Sequence, residues 1–182
     1  MKTAILTGAV LLSVIAGVTD FRSRRIPNWL TVSGLVTGLV LNTVAAGMHG
    51  LKLSLLGAGL GLLLLLPFVL LRSLGAGDWK LAGALGALVG PGVLADLLMG
   101  SVFVAGIMAL GLVIYKGRLR ETVRNMGRLL GSLVSFHMPG PEVSLDNPKA
   151  LKVPYGVALA STVVIYYVLY GIGRAPHLGW TA

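Results

Sequence analysis

The chain has 182 residues, of which 55% are hydrophobic and only 12% charged, with a formal net charge of +9. A soluble domain carries about a quarter charged residues, so this composition argues against one and for an integral membrane protein. Cysteine is absent, which excludes a disulfide framework, a cysteine-based zinc site and a thiol nucleophile.

Six apolar blocks follow one another, over about 3–19, 29–48, 51–71, 79–90, 92–115 and 153–170. Some 20 residues cross the hydrocarbon as a helix. The predicted fold is therefore all-α: one transmembrane domain over 1–182, a bundle of about six helices. The first block follows Met1-Lys2 and ends at Asp20. It lacks a small-x-small cleavage site, and its basic run follows rather than precedes it, so it reads as a retained span and not a signal peptide.

Asp20 leads into Phe21-Arg22-Ser23-Arg24-Arg25-Ile26-Pro27-Asn28. Its position at a helix end meets the negative pole of the macrodipole, an electrostatic conflict expected where position is kept for function. The plain alternative is a solvated acid paired with the arginines. Pro27 forces Ile26 out of the helical region, and Asn28 is placed to cap the second helix. Together they set how the chain re-enters the bilayer and where Asp20 points.

The second, third and fourth blocks carry G-x-x-x-G spacings at Gly34/Gly38, Gly57/Gly61 and Gly86/Gly90. This pattern lets helix backbones approach closely. The fourth block opens on Gly75-Ala76-Gly77-Asp78-Trp79-Lys80. Gly75 and Gly77 permit a tight turn that holds Asp78 at a helix entrance with room beside it. Asp78 as a simple N-cap is the plain alternative. This block is short for a span; tilt, bilayer thinning, or Asp78 and Lys80 reaching the interface would complete it. Lys80 either steadies a carboxylate or substrate, or snorkels.

Gly90-Pro91-Gly92 turns the chain into the fifth block, where Asp96 suits the positive end of its helix and is not expected to be catalytic. Over 116–152 comes the longest polar segment. Leu119, Val123, Met126, Leu130 and Leu133 fall at helical spacing beside Arg118, Arg120, Arg124 and Arg128. That pattern predicts an amphipathic helix on the inner leaflet, held by anionic lipid, and the prolines at 139, 141 and 148 then predict a loop. At the last span, Pro154 and Gly156 shape the helix entry. His49, His137 and His177 are far apart with no i,i+3 or i,i+4 partner, so no metal site is expected.

Basic residues between apolar blocks mark topology rather than nucleic acid. With the N-terminus outside, inner loops hold twelve Lys and Arg and the outer side Lys2, Lys52 and Arg174. Asp20 and Asp78 then both lie at the cytoplasmic ends of their helices. Acids at membrane depth are costly, which makes them functional candidates. Two held close cannot both ionise, the signature of shared-proton chemistry.

Asp20 with Arg24/Arg25-Ile26-Pro27-Asn28, then Gly75-x-Gly77-Asp78-x-Lys80, then Val153-Pro154-Tyr155-Gly156-Val157-Ala158, resembles the prepilin peptidases, the G-x-G-D class of membrane aspartic proteases. The three motifs come in order and cover nearly the whole chain. The resemblance implies removal of a short basic leader from type IV pilin-like precursors (prepilins and pseudopilins) at the cytoplasmic face of the bacterial inner membrane, with no cofactor. It implies that Asp20 and Asp78 are the catalytic pair, one ionised and taking a proton from water, the other protonated and donating to the scissile carbonyl. Gly75, Gly77, Lys80, Pro27, Asn28, Pro154, Tyr155 and Gly156 would bind substrate or shape the site. The larger bifunctional members carry a cysteine-containing insert that this chain lacks, so N-methylation is not expected. Pro-Tyr-Gly-Val-Ala is most similar to the small tight-adherence (Flp) branch, and an archaeal preflagellin-type peptidase shares the same fold and acids.

Two other classes compete. A proton- or cation-coupled transporter would use the acids as relays, but needs them near the midplane. A non-enzymatic pilus or secretion assembly protein would use them only as caps.

Overall fold

The computed structural model describes residues 2–70, 74–117 and 153–171, together with 120, 122 and 124. Four helices form: α1 (Lys2–Ser23), α2 (Asn28–Leu70), α3 (Ala76–Tyr115) and α4 (Tyr155–Gly171). No strand occurs among the described residues. By length and composition α1, α2 and α3 can each cross a membrane, while α4 is a shorter apolar helix. The surface helix and loop expected over 116–152 lie outside the described residues, except at 116, 117, 120, 122 and 124.

Neither α2 nor α3 is continuous. α2 leaves helical geometry at Ala46 and Gly47, where the φ of 56° at Gly47 suits a residue without a side chain. There the chain doubles back, and Gly50 packs on the Asn42 main chain. α3 breaks at Gly90, with φ 77°, immediately before Pro91. Both breaks fall near the boundaries between apolar blocks.

The second break has a clear chemical consequence. Pro91 has no N–H, so the carbonyl four residues earlier, that of Ala87, loses its helical donor. Side chains of α2 replace it. Ser54 Oγ donates to the Ala87 oxygen at 2.6 Å, and Asn42 Nδ2 donates to the Ala87 and Leu88 oxygens at 2.8 and 3.0 Å. All of these groups are fully buried, where an unmet carbonyl is expensive.

Glycine brings α2 and α3 into main-chain contact, as the G-x-x-x-G spacings predict. Gly57 and Gly86 face each other directly. A Cβ on Gly38 would lie 2.7 Å from the Ala87 carbonyl carbon, and one on Gly61 2.7 Å from the Ala82 oxygen. The result encloses the first half of α3. Every residue from 81 to 90 is buried, with Leu81, Leu85 and Leu88 among the largest fully buried side chains. α4 closes the other side. It packs on α1 where Gly17 meets Ala160, and on α3 where Gly100 meets Thr162.

Candidate active site

The two acids come from opposite kinds of helix end. Asp20 lies in the last turn of α1, and Asp78 in the first turn of α3. Both line one cleft of about 290 Å³, with Arg24, Arg25, Ile26, Gly75, Ala76 and Gly77. They are close enough for their charges to interact.

Asp78 is held locally. Gly75, in extended conformation, is the N-cap of α3, which places Asp78 at the third helical position rather than at the cap itself. From there an acid side chain can reach back to the cap residue's amide, as in half of a capping box. Its Oδ2 lies over Gly75, since a Cβ there would be 3.0 Å away. Its Oδ1 is buried without a hydrogen-bond partner among the described residues. Gly77 lets Ile26 in: a Cβ on Gly77 would approach the Ile26 Cβ to 3.1 Å. Ile26 is buried there, pushed into the site by the proline that follows it.

Asp20 is held from far away in sequence. Its carboxylate is nearly buried, 7% exposed, and no orphan amide of its own helix can serve it at this end. Gly156 N–H, in the first turn of α4, donates to Asp20 Oδ2 at 3.0 Å. The same amide reaches toward Asp78. The positive pole of α4 therefore points at the acid pair. Gly156 must be glycine for this contact, because a Cβ would sit 2.9 Å from Asp20 Oδ2. Pro154 opens the helix by accepting from Val157 N–H and Ala158 N–H through its carbonyl.

The remaining residues singled out by sequence set the frame. The Pro27 carbonyl accepts from Leu30 and Thr31, so α2 is opened by Pro27, and Asn28 is its first residue rather than a flanking cap. Asn28 Oδ1 instead accepts from Lys80 Nζ at 2.9 Å. Lys80 thus ties the starts of α2 and α3 together. Next to it, Trp79 Nε1 donates to the Leu62 oxygen at 2.7 Å and anchors α3 on the returning half of α2. Tyr155 turns inward, its hydroxyl 2.7 Å from Ser101 Oγ.

One feature had no signal in the sequence. Arg24 has a φ of 53°, in the left-handed region, and its N–H donates to the Asp20 carbonyl at 2.8 Å. This closes α1 with the motif that usually uses glycine. A non-glycine residue there costs about 1–2 kcal/mol. The strain keeps an arginine at the cleft wall, directly after the acid's own helix turn.

Acids that meet in a cleft roomy enough for water, with an amide donor fixed on one of them, suit proton transfer to and from a bound carbonyl compound. Comparison with known families adds an independent finding. The model of the type IV leader peptidase family matches residues 7–114, more than half of the chain and inclusive of both acids. α4 lies beyond that match. The chain matches no curated protein and no solved structure.

Proposed function

This chain belongs to the type IV leader peptidase family and is a prepilin peptidase, an aspartic protease, and we propose that Asp20 and Asp78 are its catalytic pair. The observation that carries this reading is the shared cleft, in which acids 58 residues apart in sequence are brought together by three helices.

The mechanism follows from which oxygens are engaged. Asp20 Oδ2 is taken by the Gly156 amide, leaving its other oxygen to accept a proton from water. The water oxygen attacks the scissile carbonyl carbon. Asp78 Oδ1, without a protein partner among the described residues, carries the proton that passes to the carbonyl oxygen. A tetrahedral diol results, with charge balanced by the two transfers. Its collapse breaks the C–N bond: Asp20 returns its proton to the leaving amine, and Asp78 recovers one from the diol.

The membrane arrangement is part of the proposal. The pieces of α2 and α3 on either side of their breaks, with α1 and α4, make six crossings, with the N-terminus outside and both acids facing the cytoplasm. The substrate's apolar helix lies among these spans while its cleavage site unwinds across the acids. The chain acts without N-methylation and is placed in the Flp branch, by the absence of cysteine and by Pro154-Tyr155-Gly156-Val157-Ala158. Acids near helix ends also suit a bond at the membrane surface better than a midplane ion relay.

The test is cleavage of a prepilin from the same genome by purified enzyme in nanodiscs, with the new N-terminus mapped by mass spectrometry. Cleavage after the leader by wild type, and none by Asp20→Asn or Asp78→Asn, is expected. Processing by either variant removes that residue from the pair.

A further inference from the structure

We propose that Ser101, acting through Tyr155, is a positioning residue that sets the Gly156 amide on Asp20. The inference rests on the reading of Asp20 as one of the catalytic pair. Ser101 lies in the second half of α3, fully buried, far in sequence from every motif of the site.

Its hydrogen bonds define a direction. Ser101 Oγ lies 2.8 Å from the Leu98 carbonyl oxygen, which can only accept. A serine hydroxyl has one proton, so that bond uses it. The 2.7 Å contact with Tyr155 is then a donation from the tyrosine hydroxyl to Ser101 Oγ. The chain of bonds runs from Tyr155 to Ser101 to the α3 main chain, and both hydroxyls are satisfied by it.

Tyr155 is the first residue of α4, and the next residue supplies the amide that holds Asp20. A shift of the α4 start moves that amide directly. The tolerance is small on both sides. Toward Asp20 there is no room even for a Cβ on Gly156, and withdrawal by more than a few tenths of an ångström takes the 3.0 Å hydrogen bond beyond its ordinary range. Packing also holds α4: a Cβ on Gly17 would lie 2.8 Å from the Ala160 Cβ and 3.6 Å from the Gly156 oxygen, and Gly100 meets Thr162 further along the helix. These are van der Waals contacts, which limit approach but supply no directed bond. The Tyr155 hydroxyl adds the directed bond, joining that start to the buried Ser101 of α3.

A buried hydroxyl pair has a structural reading too: it could satisfy two polar groups and do nothing else. The two roles separate in kinetics. The experiment compares wild type, Tyr155→Phe, Ser101→Ala, the double variant and Ser101→Thr on a prepilin that wild type cuts, with thermal melting of each in detergent. Asp20→Asn serves as the control. Expected are kcat losses of about tenfold to a hundredfold in each single removal, the range for a displacement of up to about 1 Å at a reacting group. KM stays near wild type, and the melting temperature falls only by the small amount that one lost buried hydrogen bond brings. The double variant is no slower than the slower single variant, since one bond is shared, and Ser101→Thr, which keeps the hydroxyl, restores most of the rate.

Full activity in Tyr155→Phe or Ser101→Ala overturns the inference. So do losses that add in the double variant, that appear in KM alone, or that Ser101→Thr leaves unrestored while its melting temperature is that of wild type. A loss in Tyr155→Phe with none in Ser101→Ala also overturns it, and makes the tyrosine a direct substrate contact. If Asp20→Asn itself retains activity, the reading of the pair fails rather than this positioning role.

Discussion

Asp78 sits at the start of a helix and Asp20 at the end of one, and the fold solves the two placements differently. A helix start offers free amides, so Asp78 is held chiefly by the glycine turn before it, with the Gly156 amide reaching toward it as well. A helix end offers free carbonyls, which repel a carboxylate. Asp20 must borrow an amide from α4, across 136 residues of sequence. One acid is thus positioned by its neighbours in the chain, the other by the tertiary fold. Disturbances of α4 should reach Asp20 first, and disturbances of the turn at 75–77 should reach Asp78.

The largest effect should come from the acids themselves. Asp20→Asn and Asp78→Asn each remove a proposed proton-transfer group, for a loss of about 10⁴-fold in kcat, at the upper end for such catalysis. Steady-state cleavage assays read this. Markedly unequal losses would mean that the two acids do not act as a pair.

Next comes Gly156→Ala. Its methyl group would lie 2.9 Å from Asp20 Oδ2, and the surroundings are buried, so α4 and Asp20 must part. A loss of about 100-fold is expected, as for a reacting group moved by about 1 Å. Wild-type turnover in this variant would show that Asp20 does not need the borrowed amide.

Gly75→Ala sharpens the other side of the comparison. Its backbone, at φ −70° and ψ 141°, accepts any residue, and only the contact with Asp78 Oδ2 at 3.0 Å opposes a methyl group. The turn is partly exposed and can give. The expected loss is about tenfold, less than for Gly156→Ala, reflecting a shift well below 1 Å. A reversed order would mean that the local turn, not α4, is the rigid part.

The smallest effect is on stability. Relative to Arg24→Ala, which loses the same attraction to Asp20, Arg24→Gly relieves a left-handed residue at a cost of extra freedom in the unfolded chain, for a net gain of about 0.5–1 kcal/mol. The melting temperature should lie slightly above that of Arg24→Ala, while activity falls in both because a cation leaves the cleft wall. A melting temperature below that of Arg24→Ala would contradict the strain assigned to Arg24.

The same contrast explains what the sequence could reveal. The Gly75-x-Gly77-Asp78 turn is local, and its glycines, cap and acid could be read in one glance. Helical content, the turn at Gly90-Pro91 and the close helix approach at Gly38, Gly57 and Gly61 were legible for the same reason. The partner of Asp20 was not, since nothing near it in sequence announces an amide from residue 156. Lys80 was expected at a carboxylate or at the interface, but it meets Asn28 because two helix starts lie side by side. Ser101 was invisible: one serine in an apolar block gives no sign of which neighbour it will face. Arg24 ran against expectation, as the left-handed residue after a helix is usually glycine.

The enclosed first half of α3 has one more consequence. Residues 76–89 form a rod about 21 Å long, some 9 Å short of a bilayer's hydrocarbon thickness. A lipid-facing helix this short would force the surrounding bilayer to thin. This one is wrapped in protein, so the shortfall is taken up inside the molecule. Its open end is the cleft of about 290 Å³, space for about ten waters at their liquid density. On the proposed reading the site is a small solvent well at the end of an otherwise enclosed helix, and a peptide bond brought to the two acids meets its water there.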